Sequence, residues 1–409
     1  MTRTGGLVLA AAIAGVLSMP TGATGAASGS AGGWTLAAYV CADGDLRGLG
    51  QAYVAELERG ARAGGWTLAL QIDKGAGAGS AVAVRRLIPG GGEAQTVRVG
   101  GDEPMNAGRS ESLAGFLRWA GERAPGTRLG LIVFGHGASP AGLSADGGST
   151  AGEAAVAFDA DCADALTVRE VVDALAAVDG TAELLALDSC FGCSADVVWE
   201  LRGRVGVLVA SPGRVPGSGL PWGAILSGRR PEAMTPEALA QGCLDEVSRS
   251  RESGEGLTAM RCAGLVEVAG AVRELCTAIA TQPEAGMVEL AVARRLCRDL
   301  GPEREMCDLR ELCVGLRDSR SAALRGAAVG VAEAIDGCVL GRLGGGAGAG
   351  GLTVVMPGGL TGVADDYGAR VQGFAGGSGW GELVRAHCRG LQGLMRRTTG
   401  NPRRGEDAA

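Results

Sequence analysis

Short apolar runs bounded by turn residues alternate along this chain with longer stretches whose apolar positions recur at helical spacing. Residues 34–41 and 66–72 read as the first two strands, and LGQAYVAELERGARA between them reads as a right-handed crossover helix. Residues 81–87 suit an edge strand or hairpin arm. Residues 129–134 and 184–187 are continuously apolar, the pattern of strands buried on both faces of a parallel sheet, and 205–210 repeats it.

From 231 to 340 the period changes. PEALAQGCLDEV, VEVAGAVRELCTAI and MVELAVARRLCRDL all predict helices, so this segment reads as an inserted helical subdomain. LGRLGGGAGAGG then reads as a linker, GLTVVMP as a returning core strand and GWGELVRAHCRGLQGLM as a closing helix. The expected fold is α/β, an α/β/α sandwich with a mostly parallel central sheet.

The first residues alter the picture of where the chain works. Residues 1–27 carry Arg3, an apolar run over 7–17 and a small-residue stretch suited to a signal peptidase, and the run is too short to span a bilayer. The expected organisation is a signal peptide over 1–27 and a flexible mature terminus over 28–33. A core follows over 34–230, the helical insertion over 231–345, a strand and helix completing the core over 346–390, and a disordered polar tail over 391–409. The product is expected to be secreted or periplasmic, monomeric and without a membrane span.

A formal net charge of −7 with no basic stripe speaks against nucleic-acid binding. Basic residues are almost all Arg, with Lys74 the one lysine. Twelve cysteines in an exported chain predict disulfides, expected mainly among Cys243, Cys262, Cys276, Cys297, Cys307 and Cys313. A metal site is a weak reading of that cluster, which has no paired CxxC units and no nearby His.

Candidate chemistry sits at two strand exits. RLGLIVFGHG delivers His136 and Gly137, and ELLALDSCFGC delivers Asp188 and Cys190. In open α/β sheets ligands bind beyond the carboxyl ends of the strands, where these residues fall. A thiol needs a neighbouring imidazole to become the attacking thiolate, and the chain has two histidines, His136 and His387. His136 stands 54 residues before Cys190, close to the spacing of a caspase-like His-then-Cys order. Gly137 leaves room for a substrate carbonyl, and its N–H could form an oxyanion hole with that of Cys190.

These two blocks resemble the clostripain family of caspase-fold cysteine peptidases. WTLAAYVCADGDL resembles the family's first strand and acidic turn, and MNAGRSESLAGFLRWA the helix before the His strand. DALTVREVVDAL resembles the helix before the Cys strand, MCDLRELC a later motif and GLTVVMP the last strand. The resemblance implies His136 as general base, Cys190 as nucleophile, Gly137 as oxyanion donor and Asp188 as the carboxylate that reads a basic side chain. It thus implies cleavage after Arg, with Lys as a further candidate. A buried carboxylate suits a guanidinium, which it can pair bidentately, although Asp188 could instead cap the following helix. The family's Gly-rich loop with a closing Pro-aromatic pair matches SPGRVPGSGLPW. Ser211 would then wall the pocket and Trp222 would stack on the guanidinium, or else Trp222 packs in the core.

No cofactor is needed for this chemistry. Calcium is implied as a structural or activating ion, with Asp43, Asp45 and Asp73 at strand ends either holding it or capping helices. Substrates would be proteins or peptides bearing basic residues. Relatives are often cut between the His and Cys segments, yet residues 138–168 hold no Arg or Lys, so one intact chain is expected after signal removal.

Cys193 departs from the family pattern and makes the loop CFGC. That motif supports an alternative, a thiol-disulfide oxidoreductase using Cys190 and Cys193. A third reading is a catalytically silent member that uses the fold to bind.

Overall fold

The computed structural model describes residues 33–73, 75, 83–99, 105–124, 126, 128–142, 150, 153–250, 254–344, 349–359, 367 and 373–399. The expected signal peptide, all of the mature terminus but Gly33, Lys74, the linker residues 345–348 and the tail from 400 lie outside the described residues.

Among the described residues thirteen strands run in chain order: β1 Trp34–Cys41, β2 Thr67–Asp73, β3 Ala83–Ile88, β4 Gln95–Val99, β5 Arg128–Phe134, β6 Ala155–Asp159, β7 Asp164–Thr167, β8 Ala182–Asp188, β9 Val205–Ala210, β10 Leu257–Arg261, β11 Met306–Asp308, β12 Val339–Leu343 and β13 Thr353–Val355. Nine of them form one sheet in the order β12-β10-β9-β8-β5-β1-β2-β3-β4. The five inner strands β9, β8, β5, β1 and β2 are parallel, and the two strands beyond them at each edge are antiparallel.

The apolar runs explain this order. In β5, Leu131 and Val133 face one core while Ile132 and Phe134 face the other, and β8 divides Leu185 and Leu187 from Leu184 and Ala186 in the same way. A strand with no polar face is stable only when covered on both sides. The helices Ser110–Arg123, Val168–Ala176 and Leu265–Ala280 cover one face. Arg47–Gly64, Trp222–Ser227 and Pro236–Ser250 cover the other. Local signals set the helix that leads into β8. Thr167 accepts from the Glu170 N–H while the Glu170 carboxylate accepts from the Thr167 N–H, a capping box written as TVRE.

The structure differs from the expectation in four places. The segment 231–340 is not purely helical, since β10 and β12 extend the central sheet. β10 hydrogen-bonds the edge of β9, which would otherwise expose unpaired backbone groups, and β12 pairs with β10 beyond it. With that edge filled, GLTVVMP does not return to the central sheet. It forms β13, pairs with β11, and reaches the Cys193 carbonyl through the Thr353 N–H and hydroxyl. The closing helix runs Trp380–Thr399, taking in 391–399 that was expected as tail. The stretch 138–165 contains most of a hairpin, β6 with β7, rather than only a loop.

The six cysteines between 243 and 313 form no disulfide. Five of them are buried among apolar side chains and behave as small core residues, while Cys276 is partly buried. Cys297 and Cys307 come close enough for a thiol-thiol hydrogen bond, which pushes the Cys297 thiol up.

Candidate active site

The register of two parallel strands brings the expected residues together. Phe134 of β5 pairs with Asp188 of β8, so His136 and Cys190 each leave the sheet two residues past the same level. Gly135 N–H donates to the Asp188 carbonyl at 3.5 Å and continues the contact beyond the strands. The chains then approach so closely that a Cβ on Gly137 would collide with the Cys190 carbonyl oxygen and lie 2.9 Å from the Cys190 nitrogen. Only glycine fits there.

The turn carrying Cys190 is held from outside. Phe191 has φ +62, a left-handed conformation uncommon for a bulky residue, with its ring fully buried. Its N–H donates to the Gly213 carbonyl at 2.8 Å, and the Cys193 N–H donates to the Ser211 carbonyl at 2.8 Å. The segment after β9 therefore clips the nucleophile turn in place.

A cleft of about 320 Å³ opens over this point, lined by Asp45, His136, Asp188, Cys190 and Arg214 among others. Cys190 is buried but borders the opening, at 8% exposure. Asp45, in the turn after β1, places Oδ1 2.8 Å from His136 Nε2, and that contact holds its carboxyl below the usual range. The second histidine is elsewhere: His387 is buried, with Nε2 at 3.0 Å from the Pro357 carbonyl, and burial lowers its pKa.

Asp188 is 3% exposed and reaches the cleft from below. Its Oδ2 accepts from the Leu220 N–H at 2.8 Å and more weakly from Trp222 Nε1–H at 3.4 Å, and the Tyr53 hydroxyl bonds the same carboxylate. Burial raises its pKa to about 6, although each of those donors pulls the other way. Gly219, at φ +68, permits the loop to pass, because a Cβ there would sit 2.5 Å from the Tyr53 ring and 2.9 Å from Asp188 Oδ2.

Ser211 and Trp222 do not line the cleft. Ser211 is buried and its Oγ accepts from the Gly213 N–H at 3.1 Å, so it shapes the loop. The Trp222 indole is fully buried at the start of its helix, with Nε1–H donating to the Tyr53 hydroxyl at 2.7 Å. It is packed in the core and offers no face for a guanidinium to stack on.

The carboxylates of the acidic turn bond to backbone groups of the chain. Asp43 Oδ2 accepts from the Ala160 and Asp161 N–H groups, Asp159 accepts from Ala107 and Cys162, and Asp73 Oδ1 accepts from Gly75. Burial, and after it the neighbouring carboxylates of Asp159 and Asp161, push the Asp43 and Asp73 carboxyls up, to about 6 for Asp73.

A parallel sheet ending in a Gly-His-Gly exit beside a Cys exit is a fold-specific arrangement, and the Clostripain family profile matches residues 38–315 of this chain. The chain belongs to the clostripain family. It is accordingly a cysteine-type peptidase. Three solved structures share the fold of this clostripain-family chain. A secreted C11 cysteine protease from Bacteroides thetaiotaomicron in complex with an irreversible peptide inhibitor superposes with a TM-score of 0.64 at 14% identity, covering 86% of this chain and all of that one. An inactive zymogen C11 protease from Parabacteroides distasonis gives 0.61 at 15% identity, covering 80% and 93%. A further secreted C11 protease from B. thetaiotaomicron gives 0.60 at 11% identity, covering 80% and 94%. No curated protein matches the chain by sequence.

Four features of the site were missed by sequence reasoning: the Asp45–His136 contact, the Tyr53 and Leu220 bonds to Asp188, the strain at Phe191 and the presence of Arg214 in the cleft. ADGDL held a signal for the first, as an acidic turn at a strand exit in the same row as His136.

Proposed function

We propose that this clostripain-family member is an exported endopeptidase in which Cys190 attacks, His136 moves the proton and Asp188 selects Arg, with Lys as the weaker basic alternative. The observation that carries the reading is the Phe134–Asp188 register, which sends both reactive side chains out of the sheet side by side and presses Gly137 against the Cys190 backbone.

In this mechanism His136 takes the Cys190 thiol proton, and the thiolate attacks the carbonyl carbon of the scissile bond. The N–H groups of Gly137 and Cys190 receive the oxyanion. The imidazolium then protonates the leaving amine as the C–N bond breaks, leaving a thioester on Cys190. Water, deprotonated by His136, attacks the thioester and releases the new carboxylate and the thiol.

The preference for a cation rests on charge. Asp45 and Asp188 put two carboxylates on the cleft, and a carboxylate can pair with a guanidinium. An apolar guest would leave that charge without a counter-ion. Cys193 gives little support to a redox role: it is fully buried, with its Sγ 3.7 Å from Met260 Sδ and its thiol pushed up by burial. Thiol–disulfide exchange is carried by a thiolate, which this burial disfavours.

Export rests on the leader-like residues 1–27 and on the secreted relative, and no helix among the described residues is long and apolar enough to cross a membrane. Calcium enters no step of this mechanism, and any requirement would show as a loss of rate in chelator. The test is hydrolysis of matched short peptides ending in Arg, Lys, Asp or Leu, in reductant with and without chelator, by wild type and Asp188→Asn. The expected result is Arg-selective cleavage that collapses in the variant. Cleavage after Leu or Asp that ignores the substitution would sink the specificity.

A further inference from the structure

We propose that Asp45 is a positioning residue for His136, fixing the imidazole in the tautomer that can accept a proton from Cys190. The inference rests on the assignment of His136 and Cys190 above.

The imidazole can carry its proton on either side. It has two nitrogens, and in the neutral ring one carries the proton while the other accepts. Nε2 lies 2.8 Å from Asp45 Oδ1, and an ionised carboxylate can only accept, so the proton sits on Nε2. Nδ1 then carries the lone pair, the one able to take a proton from Cys190. When the proton arrives, the carboxylate stabilises the imidazolium, and the pair of charges favours the thiolate. That the contact holds the Asp45 carboxyl below its usual range agrees with an ionised partner.

The turn is built to hold this carboxylate. Gly44, at φ +58, lets the chain reverse after β1. Asp43 is buried and anchors the turn to the 155–164 hairpin through the Ala160 and Asp161 N–H groups. Leu46 is buried on the other side. Asp45 between them lines the cleft, its carboxylate held by the backbone N–H groups of Asp45 and Leu46 as well as by His136, with its side chain 74% exposed and the histidine largely covered. The other charged or titratable groups lining the same cleft are Asp188, Cys190 and Arg214. Asp188 bonds Tyr53, Leu220 and Trp222, and the Arg214 N–H donates to Glu255 Oε2 at 2.8 Å.

The experiment reads the thiol directly, so it does not depend on which side chain the enzyme prefers. Alkylation of Cys190 by iodoacetamide is followed from pH 5 to 9 by mass spectrometry of the Cys190 peptide, in wild type, Asp45→Asn and Asp45→Glu. The expected result in Asp45→Asn is a rise in the midpoint of reactivity by about one pH unit and a roughly tenfold loss of rate near pH 6.5, since an opposite charge at this range shifts a partner by one unit or more. The alkaline limb of kcat/KM should move down, and Asp45→Glu should restore part of both. A wild-type alkylation profile in Asp45→Asn, even with a raised KM, would overturn the proposal and make Asp45 a substrate-binding carboxylate instead. A wild-type Cys190 that is unreactive below pH 8 would remove the nucleophile assignment, and the positioning role with it.

Discussion

The turn at Cys190 and the cysteine-rich segment 243–313 use the same residue type for opposite ends. Cys190 lies at a parallel strand exit, borders a cleft and shares it with a histidine and two carboxylates. Cys243, Cys262 and Cys313 are buried, and burial pushes their thiols up, to about 12 for the first two. Lowering a thiol pKa takes a cation or a base nearby, and apolar packing does the reverse. What separates the two regions is therefore the neighbourhood of each sulfur, and the number of cysteines in the chain carries little information about reactivity.

The sharpest way to break this contrast is to remove the sulfur. Cys190→Ala should lower kcat by a factor on the order of 10⁴ to 10⁶ in the peptide assay, as loss of a nucleophile does elsewhere. Cys193→Ala, three residues away, should leave most activity in place. Gly137→Ala is next, since its Cβ would collide with the Cys190 backbone and displace an oxyanion donor. A loss in kcat of about 10² to 10³ is expected in initial-rate measurements.

Asp188→Asn should cost about 10²-fold in kcat/KM on Arg peptides and much less on Leu peptides, the cost of removing one partner of a desolvated charge pair. Asp188 also supplies a pH signature. Its folded pKa, about 6, lies above the ordinary 3.8, so the native state holds the proton more tightly than the unfolded chain. Stability from this group therefore falls as pH rises from about 4 to 6, and the folded protein gains the charged form that binds Arg as pH passes about 6. The acid limb of kcat/KM for Arg peptides should carry a component near pH 6 that is absent in Asp188→Asn. The smallest effect is expected in the other region: Cys313→Ala should lower stability by about 1 kcal/mol in a denaturant titration and leave kcat unchanged.

Much of the core was legible because 129–134 and 184–187 have no polar face, and only a sheet covered on both sides accepts such strands. His136 and Cys190 could be paired for the same reason, since chemistry in these sheets gathers at strand exits. β10 and β12 were not legible, because LTAMR and VLGRL are short edge strands embedded in helical sequence, stabilised by pairing outward from the edge of β9 more than by their own pattern. Trp222 was equally ambiguous. A Pro-Trp pair after a Gly-rich loop reads the same whether the indole faces a ligand or, as here, bonds Tyr53 inside the core. The cysteines show a third limit, because reading disulfides from number and compartment ignores Cβ placement, which only the fold supplies.

The most direct test of the central claim is to treat the protein in reductant with a peptidyl-arginyl ketone electrophile at one equivalent and map the modified residue by mass spectrometry. The account predicts a single adduct, on Cys190, with hydrolysis lost in proportion to labelling. An adduct on Cys193 or on a cysteine of the 243–313 segment, or full labelling of Cys190 with hydrolysis intact, would contradict it.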